Sequence, residues 1–114
     1  MRFALVMLGS LSIAACGGAG YSSTAPGTPP VVTTSVEMRN TAFNPGVIQV
    51  SPGATVTFTN SDGFNHNVTF ASANVTSIGD FATGSRTAVM PTATGSYDYH
   101  CTIHPGMTGS VQVQ

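Results

Sequence analysis

The chain has 114 residues, room for one domain of ordinary size, and only 6% of them are charged: three Arg, no Lys and four acidic residues, for a formal net charge of −1. A nucleic-acid binder needs a Lys/Arg-rich face to displace counterions from phosphates, so that class is excluded, together with acidic tails and polybasic membrane patches. Hydrophobic residues make up 41% and argue against wholesale disorder, while two cysteines are too few for a disulfide framework.

Met1 and Arg2 form a minimal positive start, and an apolar stretch from Phe3 to Ile13 holds all three leucines of the chain, Leu5, Leu8 and Leu11. Small residues then precede a cysteine in Ile13-Ala14-Ala15-Cys16, a run that resembles the bacterial lipobox. The stretch is too short to span a bilayer comfortably. The expectation is a lipoprotein signal peptide over 1–15, cleavage before Cys16, and acyl chains on that sulfur. The protein would then be exported and lipid-anchored to a membrane, in the periplasm or at the cell surface. Residues Gly17 to Pro30 include four Gly and three Pro and have no apolar face, so 16–34 reads as a tether. Its fourteen central residues would reach about 40 Å as polyproline and nearer 20 Å as coil. With Cys16 acylated, Cys101 has no partner for a disulfide, and a lone thiol outside the cytoplasm needs a reason to persist. Metal ligation is the obvious one.

Residues 35–114 carry strand chemistry, rich in Val, Thr and aromatics and punctuated by Gly and Pro. Val36 to Met38 is a first strand. Phe43 to Gly46 turns the chain into Val47 to Val50, and Ser51-Pro52-Gly53 turns it again. Thr55 to Thr59 alternates with period two, placing Val56 and Phe58 on one face and three threonines on the other. After a polar turn, His66 to Phe70 resumes the pattern with His66, Val68 and Phe70 facing the core. Ala71 to Ser85 has no clear period. Thr87 to Met90 is a short strand ended by Pro91. In Tyr97 to Cys101 the residues Tyr97, Tyr99 and Cys101 share one face, and Asp98 and His100 the other. Gly109 to Gln114 closes the chain with Val111 and Val113 inward. The fold class is therefore all-β, a two-sheet Greek-key β-sandwich of about seven strands.

Cys101, His104 and Met107 follow one another at intervals of three on the loop between the last two strands. Three extended residues reach only about 10 Å, and Pro105 and Gly106 bend the loop, so all three side chains can turn to one point. Alone, Cys101 would be a small buried hydrophobe and Met107 a gap filler. Together a thiolate, an imidazole and a thioether suit copper far better than magnesium or calcium, which want oxygen. His66, on the core-facing side of an earlier strand, is the natural fourth donor. Two histidines, one cysteine and a long axial methionine make the donor set of a blue-copper electron-transfer site.

At these residues the chain resembles a cupredoxin of the plastocyanin/azurin family, the amicyanin type in particular. The matches run through Gly95-x-Tyr97-x-Tyr99-His100-Cys101-Thr102-x-His104-Pro105-x-Met107-x-Gly109. Upstream they include Phe43-x-Pro45, Gly53-x-x-Val56-x-Phe58-x-Asn60 and His66-Asn67-Val68. The two-residue gap between His104 and Met107 is the amicyanin spacing. The resemblance implies one copper ion cycling between Cu(I) and Cu(II) on His66, Cys101, His104 and Met107. It implies that Asn67 and Thr102 tie the histidine strand to the cysteine loop. An apolar patch around His104, Pro105 and Gly106 would dock the redox proteins that donate and accept electrons, with His100 a lesser second route.

An enzyme is not expected. No oxyanion site accompanies Cys101, and catalytic copper needs an open coordination position or a second metal centre. The competing reading is a copper-binding module for scavenging or delivery, with similar ligands and no electron transfer. The reading is otherwise of a monomeric carrier with no nucleic-acid contact, touching membrane only through the lipid on Cys16.

Overall fold

The computed structural model describes residues 29–114, so the expected signal peptide, Cys16 and most of the tether lie outside the described residues. Ten strands follow in order: β1 (Val31–Val32), β2 (Ser35–Arg39), β3 (Ala42–Asn44), β4 (Val47–Val50), β5 (Thr55–Asn60), β6 (His66–Phe70), β7 (Ile78–Phe81), β8 (Gly84–Val89), β9 (Gly95–His100) and β10 (Thr108–Val113). They form a six-stranded sheet ordered β1-β4-β10-β9-β6-β7 and a four-stranded sheet ordered β3-β2-β5-β8. The all-β two-sheet class stands, with ten strands among the described residues in place of the seven expected.

The three additional strands explain the difference. β1, β3 and β7 are two, three and four residues long, too short to display a period of their own. Each exists because a longer neighbour supplies its hydrogen bonds. β1 lies parallel on β4, inside the segment read as tether, β3 folds back on β2, and β7 pairs with β6. β8 also starts earlier than the Thr87 expected, because its polar first half pairs antiparallel with β5 from Asn60↔Gly84 onward. As the edge of the smaller sheet it is mostly exposed, so an apolar alternation is missing there.

The core lies between the sheets and follows the expected alternation. Val56 and Phe58 are buried while Thr55 is exposed, and Tyr97 and Tyr99 are buried while Asp98 and His100 are exposed. Four rings from both sheets meet at the centre: Tyr99 packs edge-on against Phe43 and Phe58 at centroid distances of 4.7 and 5.3 Å, and lies tilted against Phe70 at 5.3 Å. Such pairs contribute about 0.5–1.5 kcal/mol each beyond their buried area.

Tyr99 reaches this position by lying across Gly109, its register partner on β10. A methyl group at 109 would fall on the phenol carbons and oxygen of Tyr99. The ring is hemmed in by three other aromatics, so it cannot yield. Its buried hydroxyl meets no protein hydrogen-bond partner, and burial pushes its ionisation above the usual 10.

Two outcomes follow. Gly109→Ala overpacks the ring and should cost about 1–3 kcal/mol, read as a fall in the thermal midpoint of roughly 4–8 °C per kcal/mol. The folded state holds Tyr99 neutral, whereas in the unfolded chain the phenol ionises near the usual pH of about 10. Above that pH the unfolded state binds fewer protons, so stability should fall as pH rises. Tyr99→Phe should lose that part of the alkaline slope in urea unfolding.

Candidate metal centre

β9 and β10 form a hairpin whose connection closes on itself. The Cys101 N–H donates to the Met107 carbonyl at 2.9 Å, and the Met107 N–H donates to the His104 carbonyl at 3.2 Å. The second bond spans His104-Pro105-Gly106-Met107, with proline in the second position and Gly106 at φ 85° in the third. Pro presets the first corner of such a turn, and a positive φ at the next residue calls for glycine, as in a type II turn. His104 and Met107 are therefore the two ends of one rigid turn, and Cys101 sits where strand β9 delivers it.

His66 comes from the other side. It opens β6, and β6 pairs with β9 through Thr69↔His100 and Phe70↔Tyr99, which brings the start of β6 level with the hairpin loop. The two Nδ1 atoms of His66 and His104 lie 3.1 Å apart. The Cys101 Sγ is 3.6 Å from the His104 Nδ1 and 4.0 Å from the His66 Nδ1. Cys101 and His66 are buried and His104 is half-buried. Met107 is buried as well, at 2% exposure.

These three distances test whether a metal ion fits. A triangle with such sides has a point about 2.1 Å from every corner, close to the length of a metal–imidazole bond, about 2.0–2.1 Å. One soft thiolate and two imidazoles at that spacing suit copper or zinc and disfavour magnesium or calcium. The donor set fits copper.

Asn67, next to His66, is buried and makes four hydrogen bonds. Its Nδ2 donates to the Thr102 Oγ1 at 2.8 Å and the Asp80 Oδ1 at 2.9 Å. Its Oδ1 accepts from the Thr102 N–H at 3.1 Å and the Thr69 hydroxyl at 3.0 Å. The full capacity of the amide is used. The structure thus brings Asn67 and Thr102 together as the resemblance implied, and adds Asp80 as an acceptor that the strandless reading of 71–85 concealed.

Two further residues were not foreseen. Phe64 is 46% exposed and sets its ring edge-on to both imidazoles, 5.0 Å from His66 and 5.6 Å from His104. Asp62, four residues before His66, accepts from the His66 Nε2 at 2.8 Å. The same carboxylate accepts the Asn40 N–H at 2.8 Å and the Thr41 N–H at 3.0 Å. Burial pushes the Asp62 carboxyl up, but its bonds to His66, Thr41 and Asn40 outweigh that and hold it below its usual 3.8. Asn60 shapes this loop: its Oδ1 accepts the Asp62 N–H, and its Nδ2 donates to the Phe64 and Phe81 carbonyls. A Ser-Asp-Gly turn reads in sequence as ordinary turn chemistry, and no local signal marks its carboxylate as aimed at a ring.

His100 faces outward on β9, away from Cys101, while Pro105 and Gly106 are exposed beside His104. Phe64 packs against that histidine, and Ile103, the histidine's neighbour in sequence, is a second exposed apolar residue at 41%.

A family model described as copper binding proteins of the plastocyanin/azurin family matches residues 30–114. Amicyanin-alpha of Methylorubrum extorquens is 34% identical over 89 residues, covering 75% of each chain. Plastocyanin of Vicia faba is 35% identical over 86 residues, covering 63% of this chain and 87% of its own. Among solved structures, a Cu(I) amicyanin variant superposes with a TM-score of 0.63 at 28% identity, covering 70% of this chain and 80% of its own. A purple cupredoxin from Nitrosopumilus maritimus gives 0.63 at 26% identity, covering 70% and 98%. With its sandwich, its donor triangle and a family match spanning three-quarters of its length, the chain belongs to the cupredoxins, the copper-binding plastocyanin/azurin family, and copper is its cofactor.

Proposed function

We propose that this protein is a type 1 copper electron carrier in which His66, Cys101, His104 and Met107 hold the ion. The observation that carries the reading is the donor triangle, with sides of 3.1, 3.6 and 4.0 Å, built between buried strands. A copper ion held there supplies a one-electron Cu(I)/Cu(II) couple. The protein's part is to keep the donors from rearranging as charge comes and goes. Asn67 locks the loop to β6, the Pro105-Gly106 turn fixes His104 against Met107, and the burial of Cys101 and His66 keeps water from the sulfur.

His104 is the half-buried member of the set, with Phe64 packed against its ring and the exposed Ile103, Pro105 and Gly106 close to it in sequence. That rim supports docking of redox proteins there, with the imidazole edge as the electron's way in and out. His100, on the outer face of β9, offers a lesser route. Four protein side chains would hold the ion and leave no donor position for a substrate, which favours a carrier over an enzyme. The organisation proposed with it is a signal peptide over 1–15, a lipid on Cys16, a tether that ends where β1 joins the larger sheet, and the copper domain from there on, a few residues earlier than the 35 expected from sequence. The carrier would work outside the cytoplasm at a membrane surface. Mass spectrometry of the membrane-fraction protein should find acylated Cys16 as its first residue.

Adding Cu(II) to the metal-free protein should give an intense thiolate-to-copper visible band, and Cys101→Ser should abolish it. A pale complex in the wild type would point instead to copper storage or delivery. Asn67→Ala removes four hydrogen bonds and strands the Thr102 N–H. It should destabilise the metal-free protein by about 1–3 kcal/mol in urea unfolding and broaden the copper spectrum. The rim carries no charged residue among those named, so electron self-exchange between Cu(I) and Cu(II) copies, followed by NMR, should change less than about threefold when the Debye length falls from about 30 to 3 Å. A steep salt dependence would move the docking surface elsewhere.

A further inference from the structure

The two imidazoles of the centre are not held alike. His66 is fully buried, and its Nε2 lies 2.8 Å from a carboxylate that is itself only 10% exposed. Among the described residues no hydrogen bond is made by the Nε2 of His104. A carboxylate with a single imidazole neighbour accepts its N–H, so Nε2 of His66 bears the proton and Nδ1 carries the lone pair. Nδ1 is the nitrogen turned towards Cys101 and His104. The carboxylate therefore selects the one tautomer that can donate an electron pair to the metal.

Asp62 is held firmly enough for this task. Its backbone is tied to the Asn60 side chain at 3.0 Å, and its two oxygens take the N–H groups of Asn40 and Thr41 from the turn between β2 and β3. Both turn residues have positive φ, 54° and 57°, and for a β-branched residue such as Thr41 that conformation is strained. The turn keeps an unfavourable backbone shape while presenting two adjacent donors to one carboxylate. The turn between β2 and β3 is thereby linked to His66 through the Asp62 carboxylate.

We propose, on the copper reading above, that Asp62 is a positioning residue that fixes the His66 tautomer and, by its negative charge behind the ring, biases the couple towards Cu(II). Carboxylates bonded to metal-ligating histidines typically raise metal affinity 10–100-fold and orient the ring. A negative charge at that place favours the more positive oxidation level, so its removal should raise the reduction potential.

The test uses Asp62→Asn, a neutral isostere, and Asp62→Ala, with the outward-facing Asp98→Asn as a control for the loss of one charge. In the metal-free wild type, long-range ¹H–¹⁵N NMR should show His66 protonated at Nε2, and Asp62→Ala should show a mixture of tautomers. In the copper form, Asp62→Asn should shift the Cu(II)/Cu(I) ratio at fixed potential about tenfold towards Cu(I). That is about 59 mV for a one-electron couple. Cu(II) affinity should fall about tenfold with it. A wild-type His66 that carries its proton on Nδ1 overturns the proposal. So does an Asp62→Asn shift no larger than the control's. Should Asp62→Ala fail to fold, the wild-type tautomer and the Asp62→Asn potential still decide. Absence of the intense copper band in the wild type would sink the copper reading instead, and leaves the tautomer measurement to judge Asp62 by itself.

Discussion

The centre rests on one side-chain amide. His66 and the cysteine loop are separated by more than thirty residues, and β6 meets β9 over only two register pairs, Thr69↔His100 and Phe70↔Tyr99. Towards the donors the ladder stops at Thr69↔His100, and that end would be free to open. Asn67 closes it. Its amide takes the place of backbone rungs, bonding the Thr102 N–H and hydroxyl on one side and the Asp80 carboxylate on the other. A buried amide with every donor and acceptor engaged has no alternative pose of similar energy, and that makes it a rigid spacer between two ligand-bearing segments.

Rigidity at the rim depends on what lies beneath. The hairpin that bears Cys101 is packed through Tyr99 onto Phe43, Phe58 and Phe70, so both sheets grip the same strand two residues before the thiol. Gly109 makes that grip possible by leaving room for the phenol ring to cross the neighbouring strand. Core packing and loop geometry are thus one system: aromatic rings set the height of β9, β9 sets Cys101, and the turn sets His104 and Met107 relative to it. Interiors packed at crystal-like density transmit small displacements rather than absorb them.

Much of this was legible in residue order. Alternation in β5, β6 and β9 gave the faces correctly, and the loop donors could be recognised because three of the four sit within seven residues of one another. His66 could be paired with them because it faces the core at the head of a strand. The parts that stayed hidden are those created by neighbours. β1, β3 and β7 are strands only because β4, β2 and β6 bond to them. Asp62 and Asp80 look like turn residues until the fold sets an imidazole against one and an amide against the other. Phe64, isolated among Gly and Asn, gives no period to read, and its edge-on place beside two histidine rings arises only when β6 and the β9–β10 loop meet.

The loop from Cys101 to Met107 is bonded end to end across its own backbone and contains its own internal turn. Such a segment behaves as a cassette: three donors travel together on seven residues, while the sandwich contributes only His66. A change of length between Thr102 and Met107 would act first on the ion's surroundings, because the loop closes on itself where it meets the strands. Lineages built on this scaffold could therefore diversify their redox chemistry through one short stretch of gene, leaving the rest of the molecule under a separate and more conservative selection.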